Sequence, residues 1–387
     1  MNFKIDHYFH FKNFLAFLLV LICISLRSYG QHKVSFRDSL DHKIDLSDWV
    51  ISSKGFIPIP YLITEPALGG IGGALVPVFI QQNTPYSDTI RGQLVKTRAK
   101  PNLLALGAAY TANGTWFVGG GTAGTIKKWR ANYRLFGGYA NVNMNFYRNL
   151  TNGTEASVEL NIKTVPLYGQ FTKQIGKSAW SAGLDYLFLN TTISNPDPLF
   201  HSVKETNSIV SKLGLIVDYD KRDNVFTPDK GFRWNTSFSG SDEIIGSDYG
   251  FTKLATSAFS YVPVSKQLIA GFRAEYQQIW GSAPFYLKPY LVLRGIPIMR
   301  YQGDVTALAE TEWRWDVTTR HSLVGFGGAG KALSNTESFQ ESTWRVSGGA
   351  GYRYLLARKL KLRAGIDVAR GPEDWAYYVV FGTNWVK

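Results

Sequence analysis

The chain has 387 residues, 45% hydrophobic, 14% aromatic and only 18% charged, and no long apolar run follows residue 30. That balance excludes a disordered tail protein and a bundle of membrane helices. The 38 glycines, 11 Trp, 21 Tyr and 24 Phe suit strands and tight turns, and the net charge of +13 points to an anionic partner.

Residues 1–30 read as a signal peptide. Lys4 and Lys12 give a positive start, Phe14 to Ile24 form an apolar core, and Ser28-Tyr29-Gly30 supplies small residues for cleavage. The single cysteine, Cys23, lies inside this segment, with bulky Ile22 in front of it, which argues against a lipoprotein site. The mature chain therefore starts near Gln31, without cysteine. Removing three cations and one acid leaves it at +11. Nucleic acid is a poor partner for an exported chain, and anionic lipid a better one.

Residues 31–66 read as a short N-terminal extension, in which Asp38 to Ser52 suggests a short helix carrying Leu40, Ile44 and Trp49. It is too small to be an independent domain and reads as a tether or partial plug, with an amphipathic helix that docks on the membrane surface or a partner as the alternative.

From residue 67 to 387 the signal is period two. Leu268, Ala270, Phe272, Ala274 and Tyr276 fall opposite Arg273, Glu275 and Gln277; Thr311, Trp313 and Trp315 fall opposite Glu310, Glu312, Arg314 and Asp316. Leu360 to Val368 and Val158 to Lys163 alternate in the same way. Strands are expected near 67–80, 100–112, 114–124, 128–140, 153–163, 165–174, 178–190 and 208–219. Eight more follow near 231–240, 252–262, 266–279, 307–317, 321–329, 342–354, 358–368 and 376–386. These sixteen strands match the length that a tilted membrane strand needs, about 9 to 11 residues or more.

Long connections (81–99, 191–207, 280–306) follow odd strands and short ones (175–177, 263–265, 318–320) follow even strands; the stretch 141–152 breaks the pattern. That asymmetry suits external loops and periplasmic turns. The fold class is therefore all-β: a single transmembrane antiparallel β-barrel of 16 strands. A closed barrel pairs its backbone without leaving an edge in lipid.

Four motifs carry a resemblance. The first is LRGIP, Leu293, Arg294, Gly295, Ile296 and Pro297, in the connection between strands 11 and 12; the second is ETEWRW, residues 310–315. The third is YDKRDNVFTPDKGFR, residues 219–233, with Asp220, Arg222, Asp223, Asn224, Pro228 and Gly231. The fourth is the C-terminal YVVFGTNWVK, with Phe381, Gly382 and Trp385. With these the chain resembles outer-membrane barrels of the BamA/TamA type, the bacterial surface antigen superfamily, over nearly the whole mature length. The G-F-x-P-x-P opening of residues 55–79 is similar too.

The resemblance implies that the LRGIP loop folds inward and is held by Arg294. Its expected lumenal partner is Glu312, with Glu310 or Asp316 in reserve, because FGGAG (326–330) has Gly328 where the family has aspartate. It implies a structural periplasmic turn at 219–233. It also implies a working seam between the last strand (Phe381, Gly382, Trp385) and a glycine-rich first strand (Gly69, Gly70, Gly72, Gly73), which Pro77 weakens further. Relatives that insert or translocate proteins usually carry periplasmic POTRA modules, and this sequence resembles the short subclass without them. The implied activity is assistance in outer-membrane biogenesis, inserting or translocating proteins or lipids, with outer-membrane lipid and unfolded outer-membrane proteins or a periplasmic partner as the implied partners. A passive or selective channel is the alternative, and a lipid-modifying barrel enzyme a weaker one.

No enzyme is expected. GFGGAGKA (325–332) imitates a phosphate loop, but Ala332 stands where Ser or Thr is required and a strand pattern surrounds it. The mature histidines, His32, His42, His201 and His321, are scattered, so no metal or cofactor is expected, and no Ser/His/Asp set is apparent.

Overall fold

The computed structural model describes residues 35–52, 56–81, 83, 86–90, 93–97, 102–149, 155–194, 206–334 and 337–385. The signal peptide reading lies outside these residues. One short helix, α1 (Ser47–Ser52), precedes eighteen strands: β1 (Phe56–Ile63), β2 (Gly72–Gln81), β3 (Tyr86–Ile90), β4 (Gln93–Thr97), β5 (Asn102–Thr111), β6 (Trp116–Ile126), β7 (Ala131–Asn149), β8 (Glu155–Gln174) and β9 (Trp180–Ser194). There follow β10 (Thr206–Asp220), β11 (Gly231–Ser241), β12 (Phe251–Pro263), β13 (Leu268–Gly281), β14 (Val305–Asp316), β15 (His321–Leu333), β16 (Arg345–Ala357), β17 (Leu362–Arg370) and β18 (Trp375–Phe381).

Sixteen of them form one antiparallel sheet in chain order, β1, β2, then β5 through β18; β3 and β4 make a separate hairpin. The sheet is a nearly closed barrel with one seam, between β18 and β1. No described helix is long and apolar enough to cross a membrane.

The alternation sorts the two faces. Phe272, Trp313, Trp315, Leu323 and Ile366 are exposed on the outer face, while Arg273, Glu310, Arg353 and Asp367 are buried on the inner one.

The count of sixteen conceals two corrections. Residues 56–63 form the first barrel strand, so the barrel begins within the expected 31–66 extension. Pro58 and Pro60 hide it, because proline within a run argues against a strand. Residues 155–174, expected as parts of two strands, form one, running through Pro166. The β7 ladder skips Gly138 and Tyr139 opposite it, where the missing N–H faces. The stretch 141–149 belongs to β7.

Because β1 precedes it, the long 82–101 connection follows an even strand. It and its β3–β4 hairpin therefore lie at the end with the short turns and not among the long loops. The last strand also stops early, at Phe381 and not at 386.

Candidate functional site

The segment between β13 and β14 packs against the charged face of the sheet. Leu291, Leu293 and Ile296 cluster with Leu308 of β14, each less than a tenth exposed. Gly295 has φ +91°, and a Cβ there would lie 2.7 Å from the Gly371 nitrogen, so only glycine lets the segment approach so closely.

Arg294, itself buried, meets three carboxylates. Its Nε and Nη2 donate to Glu310 Oε1 at 3.0 and 2.8 Å, and its Nη1 lies 2.7 Å from Glu312 Oε2 and 2.9 Å from Asp367 Oδ2. The guanidinium plane also sits 3.5 Å from the centre of the Phe326 ring.

The carboxylates are shared. Arg273 Nη1 donates to Glu310 Oε2 at 2.9 Å, Arg353 Nη2 donates to Asp367 Oδ2 at 2.9 Å, and Asn384 Nδ2 reaches Asp367 at 2.8 Å. Three buried cations thus face three buried or half-buried anions, which is the arrangement that makes burying charge tolerable.

The partners differ from the expected set. Asp316 does not reach Arg294; it accepts from Arg314 Nε at 3.1 Å and Ser322 Oγ at 2.7 Å. At 328 a Cβ would meet Leu293 Cδ2 at 2.8 Å, so a larger residue there would displace the segment. Asp367 of β17, two strands further on, supplies the second acid. Its position on the polar face of residues 360–368 was readable, but its pairing with a residue 73 positions away was not.

Two further bonds tie the same segment to both sides of the seam. Gly295 N donates to Tyr378 Oη of β18 at 2.9 Å, and Ile298 N donates to Glu65 Oε1, in the β1–β2 connection, at 3.0 Å. The seam strands also touch where Thr64 Oγ1 donates to the Tyr377 carbonyl.

The seam itself is not where the glycines are. Gly72 and Gly73 begin β2 and pair with Ile63 and Leu62 of β1 and with Thr111 and Tyr110 of β5; Gly69 and Gly70 lie in the preceding turn. The β1 edge is made instead by FIPIPYLI. Pro58 stands opposite Pro77, and neither can donate, so the Pro58 nitrogen faces away from β2 toward β18. Pro60, two residues on, faces the same way. Pro77 faces β5, whose ladder skips Val76 and Pro77. Of the four β1 positions turned toward β18, two cannot donate a hydrogen bond. Among the described residues no ladder joins the two strands.

Trp385 is not a seam residue either. Phe381 is the last ladder residue, opposite Ala364, and Gly382 turns the chain at φ +80°. Trp385 then lies 2% exposed against Phe259 and Tyr261, its Nε1 donating to Glu310 Oε2 at 2.8 Å.

The 219–233 turn is held by its own side chains. Asp220 takes Arg222 at 2.9 Å, Asp223 Oδ1 accepts the Asp229 and Lys230 amides, and Asn224 Oδ1 accepts the Phe226 and Thr227 amides. Pro228 is buried and Gly231 has positive φ.

A second ionic cluster had no sequence signal beyond its acids. Arg320, in the β14–β15 turn, donates to Asp41 Oδ2 and Asp45 Oδ2, both at 2.6 Å, and to Asp38 Oδ2; Arg358 also bonds Asp38, and Lys359 bonds Asp48. A hydrogen bond from Arg358 chiefly holds the Asp38 carboxyl below the usual carboxylate range, and one from Arg320 does the same for Asp41. Burial opposes ionisation of Asp45, but bonds from Ser47 and Arg320 still leave its carboxyl low. The expected helix over 38–52 shrinks to α1 because these aspartates hold Asp38 to Asp45 in turns, leaving Leu40 and Ile44 exposed.

Among the described residues no cluster of His, Cys, Asp and Glu suits a metal.

Comparison with known proteins agrees with this geometry. The Omp85 superfamily domain matches residues 95–291. No curated protein matches the chain. Among solved structures it is similar to BamA from Haemophilus ducreyi lacking POTRA domains 1–3, with a TM-score of 0.58 and 13% identity over 84% of this chain and 69% of that one. It is also similar to CdiB from Escherichia coli, with a TM-score of 0.57 and 10% identity over 84% and 62%, and to CdiB from Acinetobacter baumannii, with 0.52 and 8% over 84% and 58%. The sixteen-stranded barrel, its single seam and the family match together establish the chain as an outer-membrane β-barrel of the Omp85 superfamily.

Proposed function

We propose that this barrel assists outer-membrane biogenesis, helping proteins or lipids to insert or cross through a lateral seam between β18 and β1. The observation that carries the reading is the donor-poor edge of β1, where Pro58 and Pro60 face β18 and no ladder forms among the described residues. A barrel whose only task is to hold a pore gains by closing every edge; this one keeps an edge short of donors. The segment of residues 282–304 is an inward plug whose LRGIP turn latches the seam, since Arg294 fastens it to β14 and β17 while Gly295 and Ile298 reach β18 and the β1–β2 connection. Residues 1–30 act as signal peptide, and the residues before β1 tether the seam strand to the β14–β15 and β16–β17 turns through Arg320 and Arg358.

Depletion of the protein in its native host, followed by quantitative proteomics of outer membranes, tests the reading. A broad fall in other barrels supports it; an unchanged profile removes it in favour of a channel.

A further inference from the structure

The charges at the short-turn end divide into two sectors. Beneath β14–β17 the cations are consumed: Arg320, Arg358 and Lys359 pair with Asp38, Asp41, Asp45 and Asp48, and Lys361 pairs with Asp223 and Asp229. Beneath β6–β11 the cations lie differently. Lys173 ends the outward row Leu167, Gly169, Phe171 on β8; Lys221 continues the outward row Leu215, Val217, Tyr219 of β10; Lys230 precedes Phe232 and Trp234 at the start of β11. Lys128 lies on the β6–β7 turn beside Trp129, which is 56% exposed. All four lysines are exposed, and no carboxylate pairs with any of them among the described residues.

Directly above them runs an aromatic belt. Trp180 packs 4.9 Å from Tyr219 and 5.7 Å from Trp234, and Tyr219 lies 6.2 Å from Phe232, all on the outer face. Aromatic rings at this level sit among lipid headgroups, and lysines one step beyond them reach the phosphates. The residues 127–130 and 173–180 contain no acid at all.

We propose that the β6–β11 sector is a binding surface for anionic phospholipid in the leaflet at the short-turn end, with Lys128, Lys173, Lys221 and Lys230 as headgroup ligands. A purely zwitterionic surface gives these lysines no matching charge, and a protein partner does not explain why three of them terminate lipid-facing rows. The surface is independent of whether the seam opens.

The test is reconstitution of the full barrel in phosphatidylcholine vesicles with and without one-fifth phosphatidylglycerol, reading the temperature at which the folded band is lost on gels. The anionic lipid is expected to raise that temperature for the native protein, and 0.5 M salt to abolish the gain, because screening at that strength is short-ranged. The variant with Lys128, Lys173, Lys221 and Lys230 all changed to Gln is expected to lose the gain while matching the native protein in pure phosphatidylcholine. Each lysine contributes roughly fivefold to lipid affinity. Lys288→Gln, at the opposite end, is expected to keep the gain. Absence of a gain in the native protein, or an undiminished gain in the four-lysine variant, overturns the proposal. If that variant folds poorly, salt dependence of the native protein's gain decides, and a salt-insensitive gain overturns it equally.

Discussion

The inner face of β13–β17 and the free edge of β1 handle polar groups in opposite ways. On the inner face opposite charges are brought together: Arg294 and Arg273 converge on Glu310, and Arg294 and Arg353 on Asp367. On the β1 edge the backbone is short of donors, because two of the four positions turned toward β18 are proline. The first region is built to stay in one arrangement, since breaking a buried pair strands a charge; the second loses little by parting. The LRGIP segment joins them, rooted in the rigid region and reaching both sides of the weak one. Movement is therefore expected at the seam, with β13–β17 as its fixed frame.

The contrast breaks most severely at its root. Arg294→Ala leaves Glu310, Glu312 and Asp367 facing one another and is expected to cost about 3 to 5 kcal/mol, seen as a lowered unfolding temperature in gel-mobility assays. An unshifted temperature would show that the cluster holds nothing. Trp385→Ala is expected to cost somewhat less, because it removes packing on Phe259 and Tyr261 and one bond to Glu310 but leaves every ion pair intact.

The opposite change sharpens the contrast. Replacing Pro58 and Pro60 together with Ile returns two donors to the edge; each new bond is worth about 1 kcal/mol, so the barrel should become more heat-stable while losing function. A stabilised and fully active variant would separate function from the seam.

The smallest effect concerns the N-terminal strap. Asp38, Asp41 and Asp45 have carboxyls lowered by their arginine and hydrogen-bond partners, so their contribution is present in full above the ordinary aspartate range and is lost only as pH falls below it. Protease resistance of residues 35–52 should therefore be constant from pH 7 to about 5 and decline only below about 4. A loss between pH 7 and 5 would mean that other groups hold the strap.

How far the sequence could be read follows from the same physics. Strands β13, β14 and β17 were legible because their alternation is clear, and Glu310, Glu312 and Arg294 could be set near one another from strand order and motif. Prolines misled in both directions: Pro58 and Pro60 hid a true strand, and Pro166 split one, since a missing donor marks an edge or a ladder gap as readily as a turn. The glycines at 69–73 drew the seam to the wrong strand for a similar reason. Asp367 and the Asp38–Arg320 bond join residues 73 and 282 positions apart, and no local pattern encodes which polar faces a barrel's closure will oppose. Trp385 looked like a strand terminus because its inward turn depends on Gly382, one residue with positive φ.

The function proposed for this barrel turns on the β18–β1 seam opening in use. The direct measurement is complementation of the depleted host by a variant with Thr64→Cys and Tyr377→Cys, placed where the two strands touch, with the cross-link followed on gels. Other barrels are expected to recover only when the bond is reduced; equal recovery with the seam fully cross-linked would rule seam opening out.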